Sequence, residues 1–146
     1  MVIRRPVQCA LGLSDRRRRH GLDARIVCYL CNAADESCDH LLFECSFTQR
    51  VWDGILAPMR LDKPSTTGCG SVLEWRRCLR ELWPASVRRG GDSLFTLVTW
   101  QVWKERNARC FQGETSTVNY VVSSIRSGAG EWVRAGARAL GCIIRE

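Results

Sequence analysis

The chain has 146 residues, the length of one ordinary domain, and its 45% apolar and 25% charged residues suit a folded core rather than a disordered tract. No stretch approaches the ~20 apolar residues that cross a bilayer, and no apolar secretory segment follows Met1-Val-Ile-Arg-Arg-Pro; nine cysteines, an odd number, then point to a reducing intracellular compartment, nuclear or cytoplasmic, and not to a secreted disulfide framework. The net charge of +7 is spread as +5 over residues 1–25, −4 over 26–62 and +6 over 63–146, so any nucleic-acid contact falls to the basic flanks of an acidic middle segment.

Residues 1–9 read as a short extension. Residues 10–21 have modest helical character, with Ser14 as a cap and Gly21 as the stop. This stretch holds Arg16, Arg17, Arg18 and Arg19, a run that can neutralise phosphates and release counterions, serve as a nuclear import address, or form a solvated helix face. The chain is organised around the next segment, Cys28-Tyr-Leu-Cys31 to His40-Leu-Leu-Phe-Glu-Cys45, a C-x2-C-x8-H-x4-C pattern. The two-residue gap lets a tight turn aim both sulfurs at one point, and His40 and Cys45 arrive from a second short segment to complete a tetrahedron. Thiolates mixed with imidazole favour one structural Zn2+ over magnesium or calcium, which take oxygen. Cys38 is a fifth thiol able to replace His40 or Cys45. A ligand only two residues from His40 would distort the site, so Cys38 reads as a packing residue.

After Cys45 the pattern turns helical. Ser46-Phe-Thr-Gln49 reads as a capping box, and Phe47, Val51, Trp52, Ile55 and Leu56 form one apolar stripe, which places a helix over about 46–57. Residues 60–70 read as a loop. Ser71-Val-Leu-Glu74 is a second capping box, opening a helix over about 71–83 with Val72, Trp75, Leu79, Leu82 and Trp83 on its apolar side. Arg76, Arg77 and Arg80 lie on the opposite side, either as solvated surface or as phosphate contacts. Residues 84–92, with Arg88-Arg-Gly-Gly-Asp92, read as a second loop. A third helix over about 93–111, capped by Asp92 or Ser93, is apolar on nearly all sides. Trp100 and Trp103, beside Lys104, could stack bases, but their helical spacing within an apolar run reads as core. This helix is expected to pair with the second through Trp75, Leu79, Leu82, Leu97 and Trp100. Val118, Val121, Val122 and Ile125 begin a last helix over about 116–139, weakened or bent at Gly128 and Gly130. The fold class is thus mainly α: a small zinc knuckle followed by about four helices, with any strand pairing limited to a short ribbon at the knuckle. A first unit spans 10–57, and 58–146 pack on it as a helical region.

The runs Asp15-Arg-Arg-Arg-Arg-His-Gly-Leu, Cys28-Tyr-Leu-Cys31, Glu36-Ser-Cys-Asp-His-Leu-Leu-Phe-Glu-Cys45 and Val51-Trp52 resemble the reverse-transcriptase zinc-binding domain at the C-terminal end of plant LINE-type non-LTR retrotransposon proteins. Trp100-Gln-Val-Trp-Lys-Glu-Arg-Asn-Ala-Arg-Cys-Phe111 is similar to the segment that follows it in the same group. The resemblance implies that Cys28, Cys31, His40 and Cys45 are zinc ligands. It also implies descent from an element whose product handled its own RNA and DNA target. The chain departs from the family at Cys38, where a small apolar residue is usual.

Enzymatic machinery is not legible. There is no Tyr-x-Asp-Asp, no phosphate-cradling glycine loop and no Gly-x-Ser-x-Gly, and His20 and His40 are the sole histidines. The expectation is a non-enzyme without a small-molecule substrate or a membrane association. It is a zinc-binding module for RNA or single-stranded DNA, derived from a retrotransposon reverse transcriptase but lacking the polymerase. Two alternatives stand beside it: a structural or protein-interaction zinc domain, whose protein partner the sequence does not name, and a retroelement remnant without function.

Overall fold

Five α-helices and two π turns make up the part of the chain that the computed structural model describes, residues 27–144. Arg16 to Arg19 and the helix expected over 10–21 lie outside the described residues. The protein is mainly helical, with the cysteine and histidine cluster ahead of the helices, and the one β interaction among the described residues is an isolated antiparallel bridge between Val27 and Asp35.

A π turn, His40–Glu44, leads directly into α1, Ser46–Leu56. The apolar stripe of α1 is buried as its spacing requires. Its start differs from the expected capping box. Cys45 takes the cap position and Ser46 is already helical, because the π turn ends one residue earlier. The polar side chains of the first turn reach back instead: the Thr48 hydroxyl donates to the Leu41 carbonyl at 2.6 Å, and the Gln49 amide donates to the Phe43 carbonyl. Helix α2, Val72–Leu82, starts as expected. Ser71 Oγ accepts the Glu74 amide at 3.2 Å, while the Glu74 carboxylate accepts the Gly70 amide at 2.8 Å. The loop before it is tied down by two indoles, Trp75 donating to the Pro64 carbonyl and Trp83 to that of Asp62.

Helix α3, Ala85–Asn107, begins well before the expected residue 93. Arg88-Arg-Gly-Gly-Asp92 is helix and not loop, and the glycines explain why. A Cβ on Gly90 would strike the backbone carbonyl of Ala139, and one on Gly91 the ring of Trp83. Glycine therefore stands here to let another backbone and an indole approach closely. Asp92 caps nothing. It faces α2, bonded to Arg76 at 3.2 Å and to Arg80. A second π turn, Ala108–Gln112, extends α3 and stops at Gly113, in the left-handed region. The expected last helix is two: α4, Val118–Arg134, capped by Thr117, and α5, Arg138–Ile144. The chain runs helically through Gly128 and Gly130 and breaks at Gly136, whose φ of +115° no L side chain adopts easily.

Phe43 of the π turn, Trp52 of α1, Trp75 of α2 and Phe95 of α3 meet in one aromatic cluster, with ring centroids 5.3 to 6.5 Å apart. The cluster crosses residue 57, where the sequence suggested a boundary between units. Trp75, Leu79 and Leu97 are buried as expected, but Leu82 and Trp100 are not: they are 51% and 46% exposed. Trp100 stands on the outward side of α3, and Trp75 meets Phe95 between α2 and α3.

Candidate metal centre

The first pair of sulfurs is set by a tight turn. The Val27–Asp35 bridge closes the ribbon, the Cys28 amide donates to the Ala34 carbonyl at 2.8 Å, and the Asn32 amide donates to the Cys28 carbonyl at 3.0 Å. Asn32 takes a left-handed φ of 55°, which asparagine tolerates better than most residues. The turn aims two backbone amides at the sulfurs, Leu30 N at Cys28 Sγ (3.4 Å) and Ala33 N at Cys31 Sγ (3.5 Å). At Cys28 the Leu30 amide works toward the thiolate, the form that binds metal, against larger effects that raise the thiol.

The second pair depends on the π turn. Two residues five apart on an α-helix point about 140° away from each other. A π turn closes i→i+5, here Cys45 N to His40 O at 2.7 Å, and its wider winding brings positions five apart back to within about 50°. His40 and Cys45 therefore share a side. The result is a cluster in which one ligand atom from each of Cys28, Cys31, His40 and Cys45 lies within 4.8 Å of the others. Cys28 Sγ and Cys45 Sγ are 3.9 Å apart, and Cys31 Sγ is 3.3 Å from His40 Nε2. Zinc–sulfur bonds of about 2.3 Å and zinc–nitrogen bonds of about 2.0–2.1 Å in a tetrahedron require roughly 3.8 Å between sulfurs and roughly 3.5 Å between sulfur and nitrogen. The four residues fit that ion in chemistry and in spacing.

Electrostatics divides the buried thiol pair. Cys45 lies at the start of α1, and accepting a hydrogen bond from Cys28 lowers its pKa, with the amides of Thr48 and Phe47 acting the same way against burial. Cys28, the donor, is raised by that bond and by burial. On the far side of the imidazole, Glu44 Oε2 is 3.9 Å from His40 Nδ1, so a carboxylate backs the ring nitrogen that would not face the metal. Cys38 is not part of the cluster. It packs against the core, and burial, helped by the charge of Asp39, pushes its thiol up to about 11.

The support behind this centre was not legible in the sequence. The end of α3 clamps the knuckle from residues far along the chain. Arg106, 1% exposed, pairs with the buried carboxylate of Glu36 at 2.7 and 3.2 Å, and its guanidinium lies 5.1 Å from the Tyr29 ring. Arg109 donates to the carbonyls of Tyr29 and Leu30, the two residues between Cys28 and Cys31, and is oriented by Glu105 at 2.8 Å. Glu105 also accepts the Ser116 amide at 2.7 Å. The sequence signal was the charged Glu105-Arg-Asn-Ala-Arg109 run with its i,i+4 pair, but the partner some seventy positions away was not predictable from it.

Among the arginines weighed for phosphate, Arg16 to Arg19 lie outside the described residues. Arg76 and Arg80 converge on Asp92, and Arg76 also lies 5.5 Å from the Phe95 ring. Arg77 is the most exposed of the α2 trio, with Glu74 and Glu81 at 3.9 and 4.0 Å. No described helix is long and apolar enough to cross a membrane.

Residues 2–52 match the family described as zinc-binding in reverse transcriptase, a segment that contains all four converging side chains. No curated protein and no solved structure matches the chain.

Proposed function

We propose that this chain, which carries a reverse-transcriptase-type zinc-binding domain over residues 2–52, is a zinc-stabilised module for RNA or single-stranded DNA, descended from a LINE-type retrotransposon reverse transcriptase. The observation that carries the reading is the convergence of Cys28, Cys31, His40 and Cys45 inside the matched segment. Four protein ligands complete a tetrahedron and leave no open position, the mark of a structural rather than a catalytic zinc site. When bound, the ion cross-links the Cys28–Cys31 turn to the start of α1. This chain's own residues then hold the turn from outside: Arg106 through Glu36, and Arg109 through the Tyr29 and Leu30 carbonyls.

Charge supports a nucleic-acid ligand. Residues 1–26 hold seven arginines against Asp15 and Asp23, whereas 27–144 are close to neutral with fourteen basic and twelve acidic residues. Arg16 to Arg19 are therefore the main phosphate contacts. On α2, Arg77 contributes before Arg76 and Arg80, whose charge Asp92 offsets.

Zinc content of the purified chain tests the centre. About one zinc per chain is expected, lost in both His40→Ala and Cys45→Ala; a well-folded chain without zinc would overturn the assignment. Binding to single-stranded RNA across a salt series tests the ligand. Affinity should fall with salt, and replacing Arg16 to Arg19 with Gln should flatten the log–log slope by about 3, at roughly 0.7 per phosphate contact. A zinc-loaded chain without salt-dependent RNA or DNA binding would leave a structural or protein-docking role instead.

A further inference from the structure

We infer that the outward face of α3 is a stacking platform for unpaired nucleobases, formed by Trp100 lying against Trp103 and flanked by Arg89 and Lys104. The two rings are 4.8 Å apart between centroids and tilted by 31°. Trp103 is half-buried, and Trp100 leaves nearly half of its surface to solvent. Trp103 packs against the core and seats Trp100, which the core itself does not use. Its aromatic packing is already closed by Phe43, Trp52, Trp75 and Phe95 on the opposite side of α3.

Helical spacing extends the face. Arg89, Trp100 and Lys104 recur at intervals of eleven and four residues, which is one side of α3. Phe111, 61% exposed, stands in the π turn beyond α3, with the Arg106 guanidinium 5.9 Å from its ring. The charge on this face has one sign. Arg89 and Lys104 are exposed and in no ion pair among the described residues. The single acidic residue between 93 and 113 is Glu105, which is buried and bonded to Arg109 and Ser116. Exposed indole beside unpaired cations complements a ligand with flat apolar faces and an anionic backbone. A single strand offers both, and a duplex hides its base faces. The platform rests on the nucleic-acid reading above and locates where bases, as distinct from phosphates, are held.

The test uses the intact zinc-loaded chain and fluorescence anisotropy with a short labelled single-stranded RNA, beside an abasic strand of equal length. Trp100→Ala should weaken binding to the base-bearing strand at least about fivefold, and Trp100→Phe should restore most of it. On the abasic strand, wild type and Trp100→Ala should bind alike. Lys104→Gln should flatten the salt slope by about 0.7, whereas Trp100→Ala should leave it unchanged. Wild-type affinity in Trp100→Ala, or an equal loss on the abasic strand, overturns the platform while leaving nucleic-acid binding in place. A wild-type chain that binds neither strand overturns both.

Discussion

The knuckle and the far end of the helical body are held together by different physics. Residues 27–45 contain one β bridge and one π turn, and they are tied by directional links: the contacts among the four converging Cys and His side chains, the Arg106–Glu36 pair and the Arg109 contacts to two carbonyls. At the other end, α3, α4 and α5 meet through Leu94, Ile125, Ala129 and Leu140, all buried, and through the bare backbone of Gly90 against Ala139. Apolar packing is insensitive to angle but sensitive to volume. Polar linkage is the reverse: each link needs its partner, and a buried partner left alone is costly. The aromatic cluster of Phe43, Trp52, Trp75 and Phe95 joins the two regimes, so the knuckle is not an independent finger.

The comparison breaks most sharply at Arg106. Arg106→Ala strands the Glu36 carboxylate in the interior and should lower unfolding stability by about 3–5 kcal/mol. The double variant with Glu36→Leu should recover much of that loss. Denaturant unfolding of the zinc-loaded chain measures both, and a double variant no better than the single would deny the pair its role. Leu140→Ala probes the other regime. Removing a fully buried side chain from α5 should cost about 3 kcal/mol, yet zinc stoichiometry should stay at its wild-type value because no link to the knuckle is touched. Loss of zinc in that variant would show that the two ends are not separable. The smallest effect sharpens the local account: Ser71→Ala removes the cap of α2 and should cost about 1 kcal/mol, with neither end selectively affected. Amide exchange confined to the first turn of α2 would confirm it.

Legibility followed the range of the interactions. The stripe of α1, the Ser71 cap and the spacing that brings Cys28, Cys31, His40 and Cys45 together are local patterns, and the structure shows all three. Gly90 and Gly91 misled, because a glycine pair beside arginines has the composition of a loop; its purpose, making room for Ala139 and Trp83, is visible only when those elements are in place. Trp100 misled in the other direction. An indole in an apolar run reads as core, but α3 has more apolar surface than its neighbours cover. The last helix broke at Gly136 and not at Gly128 or Gly130, since a glycine inside a helix is a modest cost, at Gly128 one that lets Leu97 pack closely, whereas a φ of +115° ends the helix outright.

By itself, the sequence determined which four side chains converge, the helical class and the segments that carry apolar stripes, because each rests on residue identity at short, regular spacing. Only the tertiary structure decided which charges are committed and which surfaces are left open. Arg106 and Arg109 became clamps, Arg76 and Arg80 were drawn to Asp92, and Trp100 was left facing out. The reason is physical: a side chain's charge and shape are written in its own residue, but whether they are satisfied depends on partners that only folding brings within reach.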